Sequence, residues 1–141
     1  MATKAKATRR DVLKLVKSCS FGFMSTCDKG QPRVRPMTPI VDDDFTFWIC
    51  TGTNDRKMRQ VKLNPRIELC YINDKCEHVR MAGPARVWTS LVTRRELYSR
   101  AKWLADHFKT PTDPRFGLLR FKPKKAEVML AGKYEYDTVR I

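Results

Sequence analysis

Residues 45–72 read FTFWICTGTNDRKMRQVKLNPRIELCYI. An apolar run ends at Cys50, and the small polar segment Thr51-Gly52-Thr53-Asn54-Asp55-Arg56-Lys57 follows it. Residues 55–63 have helical character and stop before Asn64-Pro65, after which a second apolar run starts at Ile67. The stretch is therefore a strand, a short helix and a strand, with two adjacent cations at the first joint. A helix start offers unpaired N–H groups and partial positive charge, which together favour an anion. Thr51 and Thr53 add hydroxyl donors, and Gly52 lets the backbone approach a ligand closely. Arg56 brings a fork of donors and Lys57 a compact charge. Two readings stand at this point: an anion site, or a capped surface helix with solvated cations.

Working outward, Thr8 is placed to cap a helix over RRDVLKLVKSC, with Val12, Leu13, Leu15, Val16 and Cys19 on one broad face. FGFMSTC and RVRPMTPIV flank Asp28-Lys29-Gly30 and read as a hairpin. FTFWICT is a third strand after the acidic turn Asp42-Asp43-Asp44, and RIELCYI a fourth. HVRMAGPARVWT is a fifth, with a bulge or bend expected at Gly83-Pro84. Residues 93–108 are expected to form one helix, with a capping box from Thr93 to Glu96 and an apolar face of Leu97, Ala101, Leu104, Ala105 and Phe108. LLRFKP and KAEVMLAG complete seven strands, and KYEYDTVRI is left unassigned. Tight turns between most strands imply a mostly β, largely antiparallel arrangement: a closed or nearly closed barrel with helices packed outside. Residues 1–8 are expected to be a flexible tail and residues 9–141 a single domain.

The 141 residues suffice for one core, and 42% hydrophobic with 31% charged residues reads as globular. No apolar run is long enough to span a bilayer, and MATKAKATRR lacks the apolar region of a secretory signal. Cys19, Cys27, Cys50, Cys70 and Cys76 are odd in number and form no CxxC pair. That pattern fits reduced thiols in a cytoplasm, and with His78 and His107 it offers no metal-ligand spacing. The net charge of +14, from 29 Lys and Arg against 15 Asp and Glu, calls for an anionic partner. The basic residues are scattered along the chain, which argues against nucleic acid and for a phosphorylated small molecule.

In RVRPMTPI, Arg33, Arg35 and Met37 alternate with Val34, Pro36 and Thr38, so one strand face carries two guanidiniums and a thioether. That is a poor core face; it reads as a ligand shelf or as a basic edge that blocks aggregation. Pro36 and Pro39 place the strand at an edge or a gap of the barrel. The ordered series Gly30-Gln31-Pro32-Arg33-Val34-Arg35-Pro36-Met37, Phe47-Trp48-Ile49-Cys50-Thr51, Arg56-Lys57, Gln60-Val61, Asn64-Pro65-Arg66 and Val79-Arg80-Met81-Ala82-Gly83-Pro84-Ala85 resembles the pyridoxamine 5′-phosphate oxidase-like superfamily of FMN-binding split barrels. Within that superfamily the chain is most similar to the small general-stress-protein-like branch, over roughly residues 10–131. The resemblance implies a six-stranded split barrel, a homodimer with two FMN sites at the interface, and redox chemistry on an unknown small molecule.

In that pattern Arg33, Val34, Arg35, Pro36, Met37 and Thr38 line the flavin ring, and Cys50 and Thr51 sit near the ring and ribityl chain. Arg56 and Lys57 bind the phosphate, Gln60 lies close to it, and His78 is a polar flavin contact. Three features depart from the pattern. Asp55 stands where Ser is common, Thr38 where the vitamin-making oxidases carry Lys, and the C-terminal YEYDTVRI lacks their Arg-x-His substrate motif. Pyridoxamine phosphate is therefore not the expected substrate. A flavin carrier, or a binder of deazaflavin or haem, is the alternative within the superfamily; a basic nucleic-acid module has only the charge in its favour.

Overall fold

Thr8 opens the first helix as its sequence suggests. Its hydroxyl accepts from the Asp11 N–H at 3.2 Å, and the Asp11 carboxylate accepts from the Thr8 N–H at 2.8 Å. The computed structural model describes residues 4–141. The chain order is α1 (Arg9–Ser18), β1 (Gly22–Asp28), β2 (Gln31–Met37), β3 (Ile40–Val41), β4 (Phe47–Gly52), α2 (Arg56–Leu63), β5 (Arg66–Ile72) and β6 (His78–Val87). It continues with α3 (Leu91–Arg100), a 3₁₀ turn (Lys102–Asp106), β7 (Phe116–Phe121), β8 (Lys125–Met129) and β9 (Asp137–Arg140). Residues 1–3 of the expected tail lie outside the described residues. Within the rest of it, Lys4 Nζ donates to the Ala131 carbonyl at 3.2 Å and the Ala7 N–H to Asp137 at 2.9 Å.

Every strand pairing among the described residues is antiparallel, in the order β2-β1-β5-β6-β7-β4-β3, with β8 beside β6 on the same edge as β7 and β9 on β8. The sheet curls into a split half-barrel with helices packed around it. β1 and β2 meet in a two-residue hairpin turn at Lys29 and Gly30, both with positive φ (51° and 83°). β2 pairs with β1 alone, so it is the edge strand its prolines require.

The strands alternate between two cores. Phe47 and Ile49 of β4 and Leu119 and Phe121 of β7 face the barrel interior, where α1 adds Val12, Leu15 and Val16 and α2 adds Met58 and Val61. Phe116 and Leu118, with Trp48 and Cys50, point the other way and pack under Leu97, Ala101, Leu104 and Phe108. At Gly83-Pro84, β6 changes neighbours: residues 78–80 pair with β8 and residues 85–87 with β7.

Three elements differ from the sequence reading. β3 and β9 are additional strands, made of only two and four residues. The expected 93–108 helix starts earlier and breaks: Ser90 is the cap, accepting from the Thr93 N–H, because the Thr93 hydroxyl is taken by Trp88 Nε1 at 3.1 Å. The break at Ala101 follows from Tyr98, whose hydroxyl donates to the Phe108 and Lys109 carbonyls at 2.8 and 3.0 Å. Ten residues of straight helix would carry Phe108 about 15 Å along the axis, out of reach. The chain folds back instead, which buries Leu104 and Phe108 and turns Ala105 to solvent.

Two carboxylates fasten loops to this frame. Asp44 accepts from Lys122 at 2.8 Å and from the Thr46 N–H at 3.0 Å, which holds its carboxyl at about 2, the Lys122 bond contributing most. Asp113 accepts from the Arg115 side chain and from the Lys109 and Arg115 N–H groups, which keep it well below the usual carboxylate range. A folded-state pKa below the unfolded value, about 3.9, stabilises the fold above that value and is lost as pH falls through the folded pKa. Thermal melts are therefore expected to be flat from neutral pH to about 5 and to drop steeply between about 4 and 2. Asp113→Asn should lower the neutral melting point and shallow that drop. Wild-type melts unchanged from pH 5 to 2 would contradict this account.

Candidate functional site

The edge strand and the start of α2 face each other across β1. Arg35 reaches over β1 to donate to the Met24 carbonyl at 3.3 Å and to Gln60 Oε1 at 3.1 Å. Thr26, buried beneath, donates to the same oxygen at 2.5 Å. Gln60 is therefore fixed by its carbonyl end, with its amide nitrogen left over. Burial, and the Arg33 charge beside it, lower the Arg35 pKa.

A cleft of about 490 Å³ opens between these elements, lined by Arg33, Val34, Arg35, Arg56, Lys57 and Gln60 together with Asp28 and Asp55. Four cations stand against two carboxylates, and among the described residues Arg33 and Arg56 form no ion pair. The first turn of α2 receives no side-chain cap. Beyond Asp55 a second cleft of about 550 Å³ is lined by Thr38, Cys50 and Thr51 on one side and by Trp103, His107 and Arg115 on the other.

Asp55 is the hinge between the two. Its Oδ2 accepts from Thr51 Oγ1 at 2.7 Å, from the Gly52 N–H at 3.0 Å and from Lys57 Nζ at 3.0 Å. The Thr51 bond, then the Lys57 bond, hold the carboxyl at about 2, so it is ionised at neutral pH. Thr51 and Lys57, which the sequence assigns to an incoming anion, thus already hold an internal one, together with the Gly52 N–H. Thr53, read as a further donor, instead donates to the Pro114 carbonyl at 2.7 Å.

Of the sequence-derived site residues, Arg33, Val34, Arg35, Arg56, Lys57 and Gln60 meet in the first cleft, and Thr38, Cys50 and Thr51 in the second. Burial pushes the Cys50 thiol up to about 12, so it is a neutral sulfur. Pro36 is exposed on the far face of β2, and Met37 packs against the barrel core. His78 lies outside both clefts: Nε2 is 2.9 Å from the Tyr136 hydroxyl and Nδ1 3.0 Å from the Cys76 carbonyl. The sequence reading missed Trp103, His107 and Arg115. Trp103 and His107 sit edge to face, centroids 6.2 Å apart. Their four-residue spacing on an exposed face is the one signal that pointed to them.

The Pyridoxamine 5′-phosphate oxidase family model matches residues 9–130, and the chain belongs to this family. General Stress Protein 26 from Bacillus anthracis shares the fold at TM-score 0.79 and 15% identity, over 94% of this chain and 98% of that one. A pyridoxamine 5′-phosphate oxidase-related, FMN binding protein from Nostoc punctiforme aligns at TM-score 0.72 and 18% identity, over 92% and 85%. A heme binding protein from Mycobacterium smegmatis aligns at TM-score 0.77 and 13% identity, over 98% of this chain and 60% of that one. A search of curated proteins finds no match.

The first cleft has the donors and charge that a phosphate group, such as that of FMN, requires. Its lining carries two positive charges in excess, and the uncapped amides of α2 and the spare Gln60 nitrogen are donors. The fit carries one condition, that Asp55 gives up part of its hold on Lys57. Replacing Asp55 with Ser, which keeps a short hydroxyl without the charge, is expected to tighten FMN about tenfold, the worth of one charge-assisted hydrogen bond. The same change should lower the melting point of the ligand-free protein, since Thr51, Gly52 and Lys57 lose their shared acceptor. Fluorescence-quenching titration and melts read both effects; weaker FMN binding by D55S would show that Asp55 supports the ligand instead of competing with it.

Proposed function

We propose that this chain is an FMN-binding flavoprotein with oxidoreductase activity on a small molecule, acting as a homodimer. The observation that carries the reading is the convergence of Arg33, Arg35, Arg56, Lys57 and Gln60 on one cleft that opens past Asp55 toward Thr38, Cys50 and Thr51. The family and the FMN binding protein of the same fold support it. Bound FMN would supply the electron chemistry, and the chain its binding, orientation and electrostatics. Arg33 and Arg35 set a positive potential that favours the reduced, anionic flavin. Cys50, held as a neutral thiol, offers bulk without charge. Thr38, where the vitamin-making oxidases carry Lys, leaves pyridoxamine phosphate out of the proposal. Five free thiols fit a reducing cytoplasm, and no helix of the described residues is long and apolar enough to cross a membrane.

A second reading, a non-catalytic carrier or a binder of haem or deazaflavin, draws on the heme binding protein of similar fold. The absorbance spectrum of the purified protein and the identity of the ligand released on denaturation separate the two. Arg56→Gln is expected to weaken FMN ten- to a hundredfold and riboflavin, which has no phosphate, hardly at all. Lys57→Gln should act in the same direction but less, because Lys57 is shared with Asp55. Lys62→Gln, at the far end of α2, serves as the control. An unchanged FMN-to-riboflavin ratio in R56Q would remove the phosphate from this cleft.

The dimer rests on the outer face of β2, β1 and β5. Val34 is 70% exposed, Phe21 50%, Ile72 47% and Phe23 37%, and the register sets Phe23 opposite Pro36 and Cys70. This apolar band borders the strand that carries Arg33 and Arg35, so a second copy laid on it would stand at the rim of the first cleft. A stable pair needs about 800 Å² from each partner. Val34→Asp with Phe23→Asp is expected to give a folded monomer by sedimentation that loses FMN on dilution. A wild-type monomer at micromolar concentration with FMN bound would refute the assembly.

A further inference from the structure

The bend in β6 leaves a notch in the sheet. The Ala85 N–H donates to the Pro65 carbonyl at 2.8 Å, so odd-numbered residues of β6 hydrogen-bond toward β5. Even-numbered ones face the other way, as the Trp88 N–H to the Leu118 carbonyl at 2.9 Å illustrates. On that side β8 pairs only with residues 78–80 and β7 only with residues 85–87. Ala82 and Pro84 therefore face a side where neither strand runs. The Ala82 N–H is left without a ladder partner, and Pro84 has no N–H to offer.

A cleft of about 700 Å³ fills this notch, and it shares no lining residue with the two clefts already described. Arg86, Arg120, Lys122, Lys124 and Lys125 line it, and no carboxylate does. Arg86 and Arg120 stand directly opposite each other across β6 and β7. Like charges in that position are destabilising, with Cβ atoms only about 5 Å apart. Neither guanidinium has an acidic partner among the described residues; Arg120 rests on the Trp88 ring at 5.2 Å, and of the five cations only Lys122 is paired, with Asp44. Where cations fasten loops the chain answers them with carboxylates, as in Asp42 with Arg100, Asp43 with Lys17 and Asp113 with Arg115. Two opposed forks, two free ammoniums and an unpaired N–H in one concavity make an incomplete arrangement that an anion of several charges would complete.

We propose that this notch is a second anion site, which takes a chain of linked phosphates such as the tail of a nucleoside triphosphate or a free oligophosphate. The forks of Arg86 and Arg120 suit bidentate contact with adjacent phosphoryl groups, and Lys124 and Lys125 extend the positive field along the chain. A single flavin phosphate would leave most of these donors unused.

The test uses the full-length chain carrying Arg56→Gln and Lys57→Gln, so that the flavin cleft cannot report and failure of the flavin reading leaves the outcome intact. Inorganic tripolyphosphate is titrated at 0.15 M salt, read by heat and by tryptophan fluorescence, since Trp88 lies under Arg120. One tripolyphosphate per chain is expected. Arg86→Gln should weaken it at least tenfold, Lys124→Gln severalfold, and Arg95→Gln on α3 less than twofold. Arg86→Gln should also melt higher than its parent without ligand, through relief of the opposed pair, and gain less on adding tripolyphosphate. ATP binding tighter than tripolyphosphate assigns the site to a nucleotide, and equal binding to the phosphate chain alone. Unsaturable binding, equal losses in R86Q and R95Q, or citrate binding as tightly as tripolyphosphate would overturn the proposal.

Discussion

Strand β7 is buried on both faces, and the rest of the architecture hangs on that burial. Among the described residues it is the only strand joining β4 and β3 to the remainder of the sheet. One face sends Leu119 and Phe121 into the barrel, and the other sends Phe116 and Leu118 under α3 and the 3₁₀ turn. Each such side chain contributes roughly 1.5–3 kcal/mol when fully buried. A polar change on either face would thus damage one of two cores and loosen the same seam. The site inherits this dependence. β4 delivers Thr51 and Gly52, while β2 delivers Arg33 and Arg35 from the opposite end of the strand order. Their meeting holds only while β7 keeps the two halves of the sheet together.

The electrostatics of the first cleft turn on a carboxylate among cations. Asp55 is ordered by Thr51, Gly52 and Lys57 because an ionised group left unpaired among them would cost more than the bonds it makes. The same bonds hold Lys57 and the β4–α2 joint in place before any ligand arrives. Pre-organisation and competition are then two consequences of one contact. Ser in this position would leave the donors free but less constrained. Arg33 and Arg56 are what the carboxylate does not reach, so they supply the uncompensated charge.

Much of this was legible in the sequence. The apolar runs in FTFWICT and RIELCYI, the Lys29-Gly30 turn and the prolines of β2 each encode a local rule, and the antiparallel sheet with its edge strand follows from them. The cations at Arg56 and Lys57 were visible for the same reason, since a helix start is a local feature. What was not legible depends on partners distant in the chain. Tyr98 breaks the expected helix only because its hydroxyl finds Phe108 and Lys109. Thr53 is lost to the site because Pro114 lies beside it, and Thr93 fails as a cap because Trp88 claims it. β9 has four residues, of which only Val139 is buried, too short for any periodicity to show. His78 was placed by resemblance alone, and its contacts with Tyr136 and Cys76 follow from a fold-back that no spacing reveals.

The excess of positive charge also takes a different form in space than along the chain. In the sequence the 29 basic residues are scattered, which removes the dense basic stripe a nucleic acid would need. In the fold the acidic residues gather where loops need fastening: Asp42, Asp43 and Asp44 hold Arg100, Lys17 and Lys122, Asp113 holds Arg115, and Asp137 holds Lys133. Carboxylates used in this way do not neutralise the concave surfaces, where among the described residues Arg33, Arg35, Arg56, Arg86 and Arg120 stand without an acidic partner. A concavity walled by low-dielectric protein focuses the field of its charges, and this effect persists where salt screens charges on an open face. The part of the positive charge that these hollows focus therefore acts more strongly than the cations spread over the convex surface. The ligands these hollows favour are accordingly small, multiply charged and shaped to enter a cleft, whereas an extended polyanion lying across the outside would meet cations spread singly over an open face that salt screens.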